Sequence, residues 1–192
     1  MKIQFPYGKT HLSYEFEKVN VLTSSIEDYD PKMPEQALVD AAMAAPEGGV
    51  TLRELAIGKE KIVLIASDHT RPVPSKVIVP PMLKEIREGN PNADITILIS
   101  TGCHRETTKE ELISKFGEEI VRDEKIIVHD CDDTANLVNI GTLPSGGECW
   151  INRLAVEADL LVAEGFIEPH FFAGFSGGRK RKQDLCINGK VY

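Results

Sequence analysis

Four short runs of Ile, Val and Leu stand out between residues 60 and 165 of the chain. They are Lys61–Ser67, Asp94–Ser100, Lys125–His129 and Asp159–Gly165. Hydrophobic and polar positions barely alternate within these runs, which is typical of strands buried on both faces of a parallel sheet. The pattern therefore predicts four strands in one covered sheet.

The segments between the runs predict helices. The first covers Ser75–Gly89, where the pair Pro80-Pro81 predicts a late start or a kink. A second begins at Thr107 or Thr108, because a threonine followed three residues later by glutamate resembles a capping box. Gly117 predicts the end of that second helix.

The segment Glu148–Asp159 predicts a third helix that leads into the last strand. Strands that alternate with helices of about ten residues indicate βαβ units. The fold class that follows is α/β: a doubly wound, mainly parallel sheet with helices on both faces.

Residues 1–50 follow a different pattern. Two polar-apolar stretches, Ile3–Gly8 and His11–Thr23, predict a short antiparallel arm, and a connector containing Pro and Ala follows it. We therefore divide the chain into an N-terminal arm and connector (1–50), an α/β domain (51–180) and a divergent tail (181–192).

Composition excludes several classes of protein. The 192 residues are 42% hydrophobic and 27% charged, which is ordinary for a folded protein. The 22 basic and 30 acidic side chains give a net charge of −8, which argues against a nucleic-acid or anionic-membrane binder. No apolar stretch approaches the roughly 20 residues of a membrane helix. Four scattered cysteines and the lack of a secretory signal in the N-terminal sequence predict reduced thiols and a cytoplasmic location.

Polar side chains follow three of the four predicted strands. Asp68 and Arg71 come after the first, His104 after the second and His170 after the fourth. Ligands of parallel sheets bind at the carboxyl ends of the strands, so we expect these side chains to converge. Two histidines there could act as an acid/base pair. The alternatives are a helix cap with a surface ion pair for Asp68 and Arg71, and purely structural histidines.

The segment Gly174–Lys180 is a glycine-rich loop that ends in basic residues. Its glycines would let backbone N–H groups approach a phosphate closely. The spacing matches neither the P-loop nor the dinucleotide fingerprint, so a flexible turn is an equal alternative. His129 also ends a strand, but no comparable loop follows it, and we interpret it as structural.

Three of these segments resemble one enzyme family in sequence and in order. They are SDHTRPVPS from Ser67, TGCHRETTKEEL from Thr101, and LPSGGECWINRLAVEADLLVAEGFIEPHFFAGFSGGRK from Leu143. Together they resemble the N-terminal domain of the nickel-dependent lactate racemases, over about residues 1–180. The length of the third segment makes the resemblance specific.

The resemblance implies a 2-hydroxy-acid racemase that uses a nickel-pincer nucleotide, a pyridinium mononucleotide whose two sulfur-containing arms hold nickel. In the family one arm is tethered to a lysine, which by motif is Lys180. A histidine removes the hydroxyl proton of the substrate while the α-hydride moves to the cofactor, and a second histidine serves the opposite enantiomer. By motif these are His104 and His170.

The resemblance also implies the remaining site residues. Asp68, Arg71, Gly177 and Gly178 would contact the cofactor, and Arg71 would also hold the substrate carboxylate. The small-molecule substrate would be lactate or another 2-hydroxy acid.

After Lys180 the sequence RKQDLCINGKVY departs from the family pattern and contains no histidine. The family's histidine ligand of nickel lies in a second domain, so we expect no metal ligand among these residues. The hypotheses are a racemase N-terminal domain, a truncated non-catalytic domain that at most binds a nucleotide or anion, and half of a split enzyme whose second domain a separate chain supplies. Apolar surface left by an absent domain predicts self-association.

Overall fold

The structure, a computed structural model, describes residues 1–21, 31–102, 104–170 and 174–177. Two compact units divide between Met33 and Pro34. In the first unit, strands β1 (Lys2–Tyr7) and β2 (Thr10–Glu15) pair antiparallel, which confirms the predicted arm. The Phe16 ring packs edge-on against Tyr14, with ring centroids 4.8 Å apart.

The second unit contains the sheet and the helices. Its elements, in chain order, are α1 (Glu35–Ala44), α2 (Leu52–Ala56), β3 (Lys61–Ser67), α3 (Ser75–Gly89), β4 (Asp94–Ser100), α4 (Lys109–Phe116), α5 (Glu118–Asp123), β5 (Lys125–Val128), β6 (Leu137–Thr142), β7 (Glu148–Asn152), α6 (Arg153–Val156), β8 (Leu160–Ala163), β9 (Pro169–His170) and β10 (Gly174–Phe175).

The four predicted strands form one parallel sheet in the order β5-β4-β3-β8. The central strands β3 and β4 are buried from their second residue onward, as their unbroken apolar runs predict. The outer strands β5 and β8 are only partly buried, because each has a neighbour on one side. The strand order reverses between β3 and β8, and the crevice at such a reversal is where ligands bind in α/β sheets.

Alternate residues of the central strands pack on opposite faces of the sheet. Ile62, Leu64 and Ile97 pack in a cluster with side chains of α3 and α4 on one face. Val63 and Leu98 pack on the other face, in a cluster with residues of β7 and α6. Helices therefore lie on both faces, which confirms the predicted α/β class, although the second face carries only one short helix.

Local sequence signals explain several helix boundaries. Thr108 and Glu111 form the complete capping box at the start of α4, and the helix ends at Gly117, whose φ is 93°. Helix α3 begins at Ser75, so the late start expected from Pro80-Pro81 is wrong. Among the described residues, no helix combines the length and the apolar character that crossing a membrane requires.

Helices α1, α2 and α5 were not expected from the sequence pattern. The short helix α2 is stabilised by a capping box between Thr51 and Glu54 and packs against α3. Gly89, at the end of α3, makes this approach possible, because the carbonyl oxygen of Arg53 lies where a Cβ would be. Tertiary contact of this kind is not visible in periodicity.

The prediction of one helix over Glu148–Asp159 is wrong. Residues of β7 pair antiparallel with β6, and only Arg153–Val156 is helical. The stretch Cys149-Trp150-Ile151 has β-branched and aromatic side chains that favour a strand. Asn152 then caps α6 by accepting a hydrogen bond from the Leu154 N–H at 3.0 Å.

The buried position of Ile97 in β4 generates a stability prediction. Ile97 is 0% exposed, so Ile97→Ala should lower the free energy of unfolding by about 3 kcal/mol through lost burial and the cavity it leaves. Ile57→Ala is the matched control, because Ile57 is 64% exposed and should cost no more than about 0.5 kcal/mol. Urea denaturation measures both, and equal losses would contradict the packing described.

Candidate functional site

Two loops meet at the carboxyl edge of the sheet. The loop after β3 carries Asp68 and Arg71, and the loop after the neighbouring strand β4 carries His104. The structure brings Asp68 and His104 into direct contact, 36 residues apart in the chain. The predicted convergence is therefore found for this pair.

Asp68 organises its own loop as well as this contact. Its Oδ1 accepts hydrogen bonds from the Thr70 N–H at 3.1 Å and from the Thr70 hydroxyl at 2.7 Å. Its backbone carbonyl accepts a bond from the Arg71 N–H at 3.3 Å. Oδ2 remains for His104, whose Nδ1 lies 2.6 Å away. Oδ1 therefore stabilises the loop after β3, and Oδ2 binds the imidazole of His104.

The ionisation of Asp68 determines which tautomer of a neutral His104 this contact favours. Burial alone would raise the pKa of Asp68, but the hydrogen bonds from Thr70 and His104 outweigh it and hold that pKa below its usual 3.8. Asp68 is therefore ionised at neutral pH and accepts from Nδ1–H of His104. In the neutral imidazole with its proton on Nδ1, the Nε2 atom of this half-exposed ring carries the lone pair that proton transfer requires.

The start of α4 ties the two loops together. Arg105, next to His104, forms a two-pronged ion pair with Glu111, with N···O distances of 2.9 and 2.6 Å. The hydrogen bond from Arg105, with that from the Thr108 N–H, lowers the pKa of Glu111 to about 2. His69, on the other loop, lies 3.7 Å from the same carboxylate. Glu111 therefore serves both the helix cap and the site.

Sequence reasoning missed His69 and Glu111 as parts of the site. Nδ1 of His69 lies 3.1 Å from the hydroxyl of buried Thr107, which fixes the imidazole across the two loops. The available signals were the position of His69 between Asp68 and Arg71, and the capping glutamate seven residues after His104. Neither signal distinguishes a local cap from a contact between loops.

Arg71 lines a cleft of about 460 Å³ at the start of α3. Lys76 and Lys115 also line it, and the Lys115 ammonium group donates to the Arg71 carbonyl at 3.2 Å. Glu111 lines the cleft as well, but its carboxylate is paired with Arg105. The three cations beside the helix start therefore suit an anionic ligand such as a carboxylate or phosphate. The Arg71 side chain is exposed and is therefore accessible to a ligand.

A second cleft of about 460 Å³ is lined by His104 and by residues at the end of β5. Its wall includes His129, which is 2% exposed and lies 3.0 Å from the Asn152 amide. The His129 carbonyl accepts a bond from the Thr101 hydroxyl at 2.7 Å, just before the loop that carries His104. These contacts agree with the structural interpretation of His129.

The remaining predicted site residues lie along the segment after β8. His170 pairs with Gly174 in the short β9–β10 ladder. Ser176 closes this hairpin, since its hydroxyl donates to the Phe166 carbonyl at 2.8 Å, and Gly177 beside it is partly buried. The His170 side chain, Gly178 and Lys180 lie outside the described residues.

Comparisons with known proteins point to one family. The family model described as lactate racemase N-terminal domain matches residues 7–182. A lactate racemase of Thermoanaerobacterium thermosaccharolyticum is 54% identical over 181 residues, and one of Lactiplantibacillus plantarum is 50% identical over 181 residues. These matches cover 93% of this chain but only 42% and 43% of the two relatives.

A solved structure gives the same result. The lactate racemase apoprotein of Thermoanaerobacterium thermosaccharolyticum superposes with a TM-score of 0.84 and 50% sequence identity. The match covers 97% of this chain and 44% of that chain. The chain thus spans less than half the length of the racemases it matches.

The depressed pKa of Asp68 generates a prediction about acid stability. Its ionised form is favoured in the folded state, so the resulting stability is present above the usual pKa of 3.8 and is lost as the pH falls through the lower folded value. Asp68→Asn removes this contribution. Between about pH 5 and pH 2.5 the wild type should therefore lose more unfolding free energy than the variant. Urea denaturation across this range checks it, and parallel pH profiles would contradict it.

Proposed function

Because the chain belongs to the lactate racemase N-terminal domain family, we propose that it provides the proton-transfer half of a 2-hydroxy-acid racemase. The observation that carries this proposal is the 2.6 Å contact between Asp68 and His104 at the carboxyl edge of the sheet. A buried carboxylate that orients an exposed imidazole is an arrangement suited to general acid–base catalysis. Lactate is the substrate that the names of the relatives suggest.

His104 acts through Nε2 in this proposal. Asp68 holds the Nδ1 proton, so Nε2 accepts the proton of the substrate hydroxyl and returns it when the hydroxyl forms again. The positive charge that develops on the imidazole is stabilised by the Asp68 carboxylate. The partly buried site strengthens that interaction relative to bulk water.

Racemisation needs a second proton-transfer group on the opposite face of the substrate. We assign this role to His170, which follows β8 on the far side of β3 from β4. Arg71 is assigned to the substrate carboxylate, since a guanidinium binds a carboxylate through two parallel hydrogen bonds. The two faces of the planar carbon are then served by two different strands of one sheet.

The residues present fit a nickel-pincer nucleotide. Arg71, Lys76 and Lys115 line one cleft at the start of α3, and this set of cations matches the phosphate of a mononucleotide. When bound, the cofactor supplies the hydride acceptor that no protein side chain offers. Lys180 is assigned to its covalent attachment, and Gly177 and Gly178 to close backbone approach.

A non-catalytic anion-binding domain is the second candidate function. The same cationic cleft favours it, because binding there does not require His104. The two candidates differ in whether Lys180 becomes modified and whether His104 affects turnover.

The first test concerns attachment of the cofactor. The chain is incubated with purified nickel-pincer nucleotide, and the intact mass and bound nickel are measured. We expect one covalent adduct and nickel in the wild type and in the control Lys182→Ala, and no adduct in Lys180→Ala. An unmodified wild-type mass, or an adduct that persists in Lys180→Ala, would contradict the assignment.

The second test concerns turnover and needs a chain of racemase length. Residues 1–180 replace the matching portion of the Thermoanaerobacterium relative, and lactate racemisation is followed after cofactor loading. His104→Gln should lower kcat by about 10²–10⁴, because it removes proton transfer while keeping a similar shape. His11→Gln, on the exposed strand β2, is the control. A wild-type kcat in His104→Gln would contradict the proton-transfer role of His104, and a cofactor-loaded chimera without racemase activity would favour the anion-binding alternative.

A further inference from the structure

Glu164 is a buried carboxylate that neither the helix caps nor the proton-transfer site accounts for. It directly follows β8 and is 3% exposed. Its backbone N–H donates to the Ile65 carbonyl at 3.1 Å and so continues the β3–β8 ladder by one bond. The side chain therefore lies at the crevice where the strand order of the sheet reverses.

One oxygen of this carboxylate collects three hydrogen bonds. Oε1 accepts from the Ser67 N–H at 3.2 Å, the Ser67 hydroxyl at 3.2 Å and the Ser75 hydroxyl at 2.8 Å. Ser67 ends β3 and Ser75 begins α3, and both are buried. Glu164 thus holds both ends of the loop 68–74, which contains Asp68 and Arg71.

The other oxygen has a different environment. Oε2 is buried and has no hydrogen-bond partner within the described ranges. A buried oxygen without a partner costs free energy, so the hydrogen bonds that this side chain contributes to the fold are those of Oε1. A side chain with a single acceptor in the place of Oε1 would make the same three bonds.

The opposite end of β8 provides an internal comparison. Asp159 precedes that strand, and its Oδ2 accepts from the N–H groups of Glu60 and Lys61 at 3.0 and 2.8 Å. This carboxylate also fastens β8 to β3, but it is exposed and distant from the loops. Of these two carboxylates, only Glu164 is buried and accepts a hydrogen bond from the first residue of a helix, Ser75.

We propose that Glu164 is a positioning residue that fixes the loop 68–74 to strand β8 through the single acceptor Oε1. It thereby sets the position of Asp68 and Arg71 relative to the segment that leads from β8 to His170. The consequence for catalysis rests on the proposed racemase function, whereas the fastening of the loop does not. The negative charge of Glu164 is not required for this role.

The test compares Glu164→Gln, which keeps an acceptor, with Glu164→Leu, which has similar volume and none. Amide hydrogen exchange of Ser67 reports the fastening, and the carboxyl ¹³C titration of Asp68 reports the contact with His104. In Glu164→Leu, loss of one hydrogen bond should speed Ser67 exchange about tenfold, and the pKa of Asp68 should rise. Glu164→Gln and the exposed control Glu119→Gln should match the wild type in both measurements.

Two results would overturn the proposal. Wild-type exchange and titration in Glu164→Leu would show that the loop does not depend on Glu164. The same defects in Glu164→Gln as in Glu164→Leu would show that the charge or Oε2 is needed. Both measurements use the chain without cofactor, so they are independent of whether Lys180 is modified or lactate is turned over.

If Glu164→Leu does not fold, the variant Ser75→Ala tests the proposal in its place. This variant removes the hydrogen bond from Ser75, at the start of α3, and leaves the two hydrogen bonds from Ser67. We expect faster exchange of the Arg71 amide, which bonds within the loop, and unchanged exchange of the Ser67 amide. Unchanged exchange at both amides would contradict a fastening at two ends.

Discussion

The contact between the Asp68 carboxylate and the His104 imidazole joins two loops that are distant in sequence and adjacent in the sheet. It depends on β3 and β4 pairing in register up to their last residues, Ser67 with Ser100. A shift of this register would separate the two side chains. The chemistry proposed for His104 therefore depends first on the packing of the two central strands, and only secondarily on the loops themselves.

Three carboxylates lie at the carboxyl ends of the strands, and each has a different environment and a different set of partners. Asp68 is buried and ionised beside the imidazole, and Glu111 is partly buried and paired with Arg105 at the start of α4. Glu164 is buried and serves as an acceptor between β8, β3 and α3. Together they connect the carboxyl ends of β3, β4 and β8, which is where the sheet order creates a crevice.

The strands, and the convergence of Asp68 and His104 on one edge of the sheet, could be predicted from the sequence, whereas their direct contact could not. Unbroken apolar runs indicate buried parallel strands, and a parallel sheet brings the residues after its strands to one edge. The β6–β7 hairpin was missed because Cys149-Trp150-Ile151 is short and next to a helical segment. The role of Glu164 was missed because its hydrogen-bond partners Ser67 and Ser75 lie 97 and 89 residues away in the chain, and no local pattern indicates contacts at that separation.

The tautomer of His104 tests most directly whether Asp68 orients the imidazole for proton transfer through Nε2. A long-range ¹H–¹⁵N spectrum of the histidine rings at neutral pH distinguishes a proton on Nδ1 from a proton on Nε2. We expect neutral His104 to carry its proton on Nδ1, held by Asp68, with Nε2 unprotonated. Neutral His104 with its proton on Nε2 would contradict the account, because the nitrogen assigned to proton transfer would then already be occupied.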